Sequence, residues 1–250
     1  TGSIDVDADT TLTIDNATFR AENTGSVIEL NAGGDLTVQN TSTLTVDDDI
    51  WLHSTAGNIS LTNTTVTSNN GAVDLYGAGG ASTITMGTST IGAEGTVTLA
   101  ASSAITAGGI SSESDILLDV NNGLLTLNGT VSSTIAGNVF LTASDMAISG
   151  VVSTFAGDIH LFDNNTGFHL GGTAAGVDLS AADIANLQAD DAHALIIGRG
   201  KQYAPPANPF SIYDSMGGIS GTFNITSGRI RQLGNTTAQS LNVGLITTDR

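Results

Sequence analysis

The chain has 250 residues, of which only 12% are charged, and 24 acidic against 6 basic side chains leave a formal charge of −18. No Lys or Arg occurs between Arg20 and Arg199, so the surface repels phosphate backbones and anionic lipid, and nucleic acid is excluded as a partner. The absence of cysteine excludes disulfides and thiolate metal sites. No apolar run reaches the roughly 18–20 residues of a membrane helix, so membrane insertion is not expected.

Apolar-x-apolar triplets recur about every 22 residues, a pattern typical of short strands with one buried face. Three such series run through the chain in the same order. The first series consists of Ile28/Leu30, Ile50/Leu52, Val73/Leu75, Val97/Leu99, Ile116/Leu118, Val139/Leu141 and Ile159/Leu161. The second series ends with the pairs Leu125/Leu127, Ile148/Gly150 and Phe168/Leu170. The third series ends with the single apolar residues Ile110, Val131 and Val151.

This periodicity predicts an all-β fold, a right-handed parallel β-helix with three short strands per coil and about ten coils. An antiparallel sandwich is the alternative, because it also has short strands at close spacing. The repeated order of three strand types without inversion favours the solenoid.

The pattern changes between residues 176 and 218. Ser180 is a predicted N-cap of a short helix over 180–188, with Asp183 in the position of a shortened capping box. A Pro-rich loop follows, so the helix and loop form one excursion near 180–216. Solenoid spacing resumes at Ile219, and residues 1–250 are therefore predicted to form a single solenoid domain.

The segments 177–187 and 194–199, with the later Gly218-Ile219, resemble a recurrent block of filamentous-haemagglutinin-like exoproteins of the two-partner-secretion type. The resemblance implies an extracellular protein of the bacterial cell surface, with a rod-like stalk of β-helical coils that serves adhesion. It implies no catalytic residues. Host or surface glycans are expected among the partners.

The sequence offers no catalytic, cofactor-binding or metal-ligating set. A carbohydrate-active lyase or hydrolase on the same fold is the alternative function, but the solenoid body lacks the Arg or Lys that such lyases need. Two acidic runs are candidate calcium ligands, although neither matches a known calcium loop. They are Asp5, Asp7 and Asp9, and Asp47, Asp48 and Asp49.

A row of hydroxyl residues is predicted on the outside of the second strand of successive coils. Its members are Thr13, Thr37, Ser60, Thr85, Thr106, Thr126 and Ser149. Such rows occur in ice-binding solenoids, which need two parallel rows, and ice or surface binding is the second alternative function. Threonine also stacks well on itself in ordinary sheets.

Large apolar residues are predicted on the outside of the first strand. Trp51 is the only tryptophan, and the Ile50/Leu52 register points it outward. Leu117 and Phe140 fall on adjacent coils in the same row. We expect Trp51 to contact a partner such as a lateral rod, and the Pro-rich loop to cover Phe140. The partner-contact residues are Trp51, Leu117, Phe140, Tyr203, Phe210 and Tyr213.

Solenoid-like apolar residues begin at Ile4 and continue to Leu245 without a visible cap. A solenoid exposes open strand edges unless it is capped. The sequence therefore predicts either continuation in a longer chain or end-to-end self-association.

Overall fold

The computed structural model describes residues 2–163, 168–170, 177–189, 194–199 and 229–230, which form a parallel β-solenoid. Successive strands along the chain lie in different sheets, and strands of neighbouring coils pair in parallel. The predicted solenoid class with three short strands per coil is confirmed. Within the described residues about seven turns are complete, fewer than the ten predicted, and only the sheet that contains β1 has 10 strands.

Three long sheets run along the solenoid. Sheet A contains β1 (Ile4–Ala8), β4 (Ile28–Ala32), β7 (Ile50–Ser54), β10 (Val73–Gly77), β13 (Val97–Ala101), β16 (Ile116–Val120), β19 (Val139–Ala143), β22 (Ile159–Asp163), β26 (Ala194–Arg199) and β27 (Arg229–Ile230). Sheet B contains β2 (Leu12–Asp15), β5 (Leu36–Gln39), β8 (Ile59–Thr62), β11 (Thr83–Met86), β14 (Ala104–Ala107), β17 (Leu124–Leu127) and β20 (Asp145–Ile148). Sheet C contains β3 (Thr18–Ala21), β6 (Thr43–Val46), β9 (Thr65–Ser68), β12 (Thr90–Ala93), β15 (Ile110–Ser112), β18 (Val131–Ser133), β21 (Val152–Thr154) and β25 (Leu187–Gln188).

The core is a stack of aliphatic side chains between the three sheets. In β7, Ile50 and Leu52 pair in register with Val73 and Leu75 of β10, and all four are fully buried. Burial of one such side chain stabilises the fold by roughly 1.5–3 kcal/mol. The register of sheet A follows the first sequence series at every coil from β4 to β22, so this series correctly identified the inward residues.

Asparagines shape the corner between sheets B and C in the first three coils. Asn16, Asn40 and Asn63 adopt φ values of 48°, 58° and 52°. This left-handed region suits asparagine, because its short polar side chain bonds locally. Thr41 donates a hydrogen bond from Oγ1 to Asn16 Oδ1 at 3.0 Å, which ties one corner to the next.

Carboxylates and amides hold the coils together at the corner between sheets C and A. Asp49 Oδ1 accepts from the Ala72 backbone N–H at 2.7 Å. Asp115 Oδ1 likewise accepts from Asn138 N–H at 2.7 Å, and Asn138 Oδ1 accepts from Asp158 N–H at 2.8 Å. These side chains therefore pair with backbone groups of the adjacent coil, which explains acidic residues at this corner in structural terms.

One predicted register is wrong in the seventh coil. Met146 and Ile148 point inward and pair with Leu125 and Leu127, whereas the sequence pattern assigned the pair Ile148/Gly150. The corner between β19 and β20 consists of Ser144 alone, so it is shorter than every preceding corner between sheets A and B. The second strand of this coil consequently begins earlier than the average period predicts.

The eighth coil departs from the regular path. β23 (Phe168–Leu170) pairs with β24 (Val177–Leu179) in a separate sheet, not with sheet B as predicted. The short helix α1 (Ala181–Ala185) follows, with Ser180 as N-cap and Asp183 completing a capping box, which confirms the predicted helix start. Its predicted end at 188 is wrong, because Leu187–Gln188 pair with β21 as strand β25. Asp183 Oδ1 accepts from Ile148 N–H at 2.7 Å, and Asn186 Nδ2 donates to Ile148 O at 2.8 Å. The helix segment thus satisfies backbone groups at the edge of β20.

The predicted Pro-rich loop lies outside the described residues. Beyond it, β27 pairs in parallel with β26, so sheet A gains a further strand there. The assignment of residues 1–250 to one domain stays a prediction. Among the described residues, no helix has the length and apolar character needed to cross a membrane.

Candidate functional site: the outer faces of the sheets

The outer face of sheet A presents two parallel rows of side chains. The first row contains Asp5, Glu29, Trp51, Asp74, Thr98, Leu117, Phe140 and His160. The second row contains Asp7, Asn31, His53, Tyr76, Ala100, Asp119, Thr142 and Phe162. Adjacent members of one row lie on strands about 4.8 Å apart, so side chains of neighbouring coils stand side by side.

The structure places three of the six predicted contact residues on this face. Trp51 is half-buried between the fully buried Ile50 and Leu52, so its ring belongs to the outer row and not to the core. Leu117 and Phe140 are in register on neighbouring strands and are also half-buried. Their role as partner contacts stays a prediction. The remaining three, Tyr203, Phe210 and Tyr213, lie outside the described residues.

Six residues of the second, third and fourth coils form a grid that we call the aromatic patch. It consists of Glu29, Asn31, Trp51, His53, Asp74 and Tyr76. The rings of His53 and Tyr76 meet edge to face with centroids 6.1 Å apart and an interplanar angle of 84°. His53 Nε2 lies 3.4 Å from Asp74 Oδ2. Tyr76 is 48% exposed, so one edge of the patch is open to solvent.

One of the two carboxylates beside Trp51, that of Glu29, is held in place by an amide. Asn31 Nδ2 donates to Glu29 Oε1 within its own strand and to Asp7 Oδ1 of the preceding coil, both at 2.9 Å. Glu29 and Asp74 occupy the positions directly before and after Trp51 in its row. The indole therefore lies between two acidic side chains, one of which is oriented by Asn31.

The outer face of sheet A becomes buried toward the C-terminal end. His160 stacks on Phe140 with centroids 4.5 Å apart and lies 5.9 Å from the ring of Phe162. Thr142 and His160 are each 1% exposed, although both belong to outward rows. Burial lowers the pKa of His160 to about 4, while the charges of Asp158 and Asp115 act in the opposite direction. His160 is therefore neutral at pH 7.

Sequence reasoning missed three exposed apolar residues. Tyr76 belongs to the second outward row of sheet A, and the register that exposed Trp51 also predicts its position. Ile135 and Phe155 lie at the corner between sheets C and A and are 50% and 68% exposed. Corner residues have no strand periodicity, so the pattern of the strands gives no signal for these two.

The predicted hydroxyl row of sheet B is present but shorter. Thr13 and Thr37 begin it, and Thr106 and Thr126 follow in register in later coils. It ends at Ala147, which pairs with Thr126; Ser149, which was predicted there, lies outside β20. Because the register of the seventh coil shifts, the row does not extend along the whole sheet.

Sheet C carries the double row that sheet B lacks. Its first outward row contains Thr18, Thr43, Thr65, Thr90, Gly109, Thr130 and Val151. Its second row contains Arg20, Thr45, Thr67, Gly92, Ser111, Ser132 and Ser153. Val151 lies outside because Val152 pairs with Val131, so the inward position predicted for Val151 is wrong. Neither row contains an acidic residue.

Two glycines open a hollow in the middle of this double row. Gly92 and Gly109 carry no side chain, which leaves a hollow of about 440 Å³ between their neighbours. Its lining is mainly apolar and includes Ile91 and Ile110, with the hydroxyl residues Thr67, Thr90 and Ser111 around it. A Cβ at Gly92 would meet nothing within 4 Å, so the fold itself does not require glycine there. Gly109 has a φ of 70°, which favours glycine at that position.

The predicted calcium ligands serve structural contacts where the structure describes them. Asp47 Oδ2 accepts from Gly25 N–H at 2.9 Å, and Asp47 Oδ1 accepts from Asn70 Nδ2 at the same distance. Asp5 and Asp7 occupy the two outward rows of β1. The described ranges contain no group of three or more acidic or histidine side chains arranged to hold a metal ion.

No protein-family model, curated protein or solved structure matches the chain. The resemblance to filamentous-haemagglutinin-like exoproteins therefore stays a prediction from the sequence.

Proposed function

We propose that the chain is a structural and adhesive rod module of a secreted bacterial surface exoprotein or extracellular filament, without catalytic activity. The aromatic patch is the observation that supports this proposal most strongly. A solenoid needs aliphatic residues inside, but nothing in its fold requires the only tryptophan to lie outside between two carboxylates. Tryptophan and tyrosine are the residues most often found at the energetic centre of protein contacts.

The N-terminal coil supports the rod interpretation. Most of its inward apolar residues are only partly buried, although Ile14 and Ala21 are buried, whereas the inward aliphatic residues of the second coil are fully or almost fully buried. The partly buried residues are Ile4, Val6, Leu12, Ala17 and Phe19. We propose that the open edge of this coil is a surface for end-to-end association with a second copy.

Bead adhesion tests the adhesive role. Beads coated with the chain are applied to plates coated with extracellular matrix, and bound beads are counted after washing. Trp51→Ser should retain less than half of the bound beads, because it removes the large ring of the patch. The matched control is Leu124→Ser, which removes a 40% exposed apolar side chain from sheet B. Circular dichroism checks that both variants are folded.

Two results of this assay contradict the proposal. One is binding of wild-type beads no greater than that of bare beads. The other is equal binding of wild type and Trp51→Ser.

Sheet C favours a second candidate function, binding to ice or another ordered surface. Two parallel rows made mostly of hydroxyl residues lie there, interrupted by Gly109 in the first row and Gly92 in the second, whereas sheet B has one such row. Within the described chain only one hydrogen bond uses these hydroxyls, from Ser153 Oγ to Ser132 Oγ at 3.1 Å, so the others are available to ordered water. Rows on neighbouring coils repeat about every 4.8 Å along the rod.

Ice-affinity partitioning tests this candidate. Gly92→Thr fills the hollow and completes the second row, so it should increase the fraction of protein retained in ice. Thr65→Lys introduces a long charged side chain into the first row and should reduce that fraction. Exclusion of the wild-type protein from ice, with no gain for Gly92→Thr, contradicts the candidate function.

A further inference from the structure

We propose that the aromatic patch binds a basic protein segment, with an arginine side chain stacked on Trp51 between the carboxylates of Glu29 and Asp74. This inference rests on the proposed adhesive function and identifies the chemistry of the partner.

The order of side chains across the patch provides the first argument. A cation over the face of tryptophan is attracted by the ring, and tryptophan is the best of the aromatic residues for this contact. In the first outward row of sheet A, Glu29 precedes the indole and Asp74 follows it, each on a strand about 4.8 Å away. A guanidinium over the ring is thus within reach of a carboxylate on either side, and arginine donors match carboxylate geometry.

The charge distribution provides the second argument. The formal charge is −18, and Arg20 is the only Lys or Arg among residues 1–198. Arg20 lies on sheet C, where its Nε is 2.5 Å from Glu22 Oε2. The outer face of sheet A has no Lys or Arg of its own from β1 to β22, so its carboxylates can receive the basic group of a partner.

The same charges disfavour a second copy of this chain as the occupant. Two identical rods laid side by side on this face bring acidic rows together, and opposed like charges strongly disfavour an interface. A basic partner gains from the field of the whole rod as well as from the patch itself. Charge complementarity therefore favours a basic segment over a lateral rod of the same kind.

The only tryptophan makes the patch directly observable. Because no other indole is present, tryptophan emission reports Trp51 alone. The full chain is titrated with octa-arginine, octa-lysine, octa-glutamate and cellohexaose, each at 50 mM and 300 mM salt. Octa-arginine should change the emission in a saturable way, bind more tightly than octa-lysine and weaken at the higher salt concentration.

Paired variants separate binding at the patch from attraction to an acidic rod. The double variant Glu29→Gln with Asp74→Asn removes both flanking charges and keeps the amide oxygen that Asn31 can bond. It should bind octa-arginine at least ten-fold more weakly than wild type. The charge-matched control is Glu94→Gln with Glu113→Gln, at two exposed corner positions, and it should stay within two-fold of wild type.

Three outcomes overturn the inference. They are unchanged emission with octa-arginine, equal weakening by both double variants, and saturable binding of cellohexaose in its place. None of them contradicts the adhesive function, which the bead assay tests separately. Conversely, if Trp51→Ser does not alter bead adhesion while octa-arginine still binds, the adhesive function fails and this binding site remains.

Discussion

The buried histidine of sheet A should make the solenoid less stable in mild acid. His160 is 1% exposed and its pKa is lowered to about 4 by burial, compared with 6.5 for the unperturbed side chain. Between these two pH values the unfolded chain binds a proton at this residue and the folded chain does not. Stability therefore falls as pH falls from 6.5 toward 4.

The shift predicts the size of this effect. Each pKa unit corresponds to about 1.4 kcal/mol, so the shift of His160 represents about 3 kcal/mol on full titration. By pH 4.5 roughly 2.5 kcal/mol should already be lost. His160→Phe keeps a flat ring between Phe140 and Phe162 but cannot take up a proton.

Guanidinium unfolding of wild type and His160→Phe at pH 7, 5.5 and 4.5 tests this reasoning. Titration of the acidic residues is common to both proteins, so it cancels in the difference between their free energies of unfolding. The variant should gain about 2–3 kcal/mol relative to wild type between pH 7 and 4.5. An NMR titration of His160 should give a midpoint near pH 4. Parallel pH dependence of the two proteins, or a midpoint near 6.5, would refute the reasoning.

Four further substitutions test the packing by chemical denaturation. Gly123→Ala should destabilise the fold, because its Cβ would lie 1.6 Å from a backbone oxygen, whereas Gly92→Ala meets nothing within 4 Å and should stabilise by about 0.4–1 kcal/mol. Equal effects of these two would contradict the register at both sites. Leu75→Ala removes a fully buried side chain and should cost about 2–5 kcal/mol in the free energy of unfolding, and a cost below 1 kcal/mol would place the residue outside the core. Asp183→Ala leaves Ile148 N–H without its acceptor and should cost about 1–3 kcal/mol, with faster amide exchange at Ile148; unchanged exchange would show that the helix does not cover this edge.

The strand pattern predicted sheet A well because its inward positions are continuous pairs of Val, Ile and Leu. Hydrophobic alternation identifies the face of each residue, and a period near 22 residues aligns one coil with the next. It failed in the seventh coil, where the single-residue corner at Ser144 shortens the path. Corner length depends on backbone geometry, so the average period could not reveal this shift.

The surfaces were predicted less completely than the core. Trp51 was placed correctly because it lies between two strongly apolar residues, but its neighbour Tyr76 was missed because only one outward row was followed. The double row of sheet C was missed because the later coils of the third series were identified by one inward residue each. A single inward residue does not show which neighbouring positions point outward. The contact of Asp183 with Ile148 joins residues 35 positions apart, which a local capping pattern cannot predict.

Distances between spin labels test the central claim, that consecutive coils stack in register along one rod. The chain has no cysteine, so paired cysteines can be labelled without background. With one label at Thr13, a second at Thr106, Thr126 or Ala147 lies four, five or six coils away on sheet B. Double electron–electron resonance should give distances between the two labels of about 19, 24 and 29 Å, rising by about 4.8 Å per coil. Separations that fail to rise in equal steps would contradict the stacked solenoid and every surface derived from it.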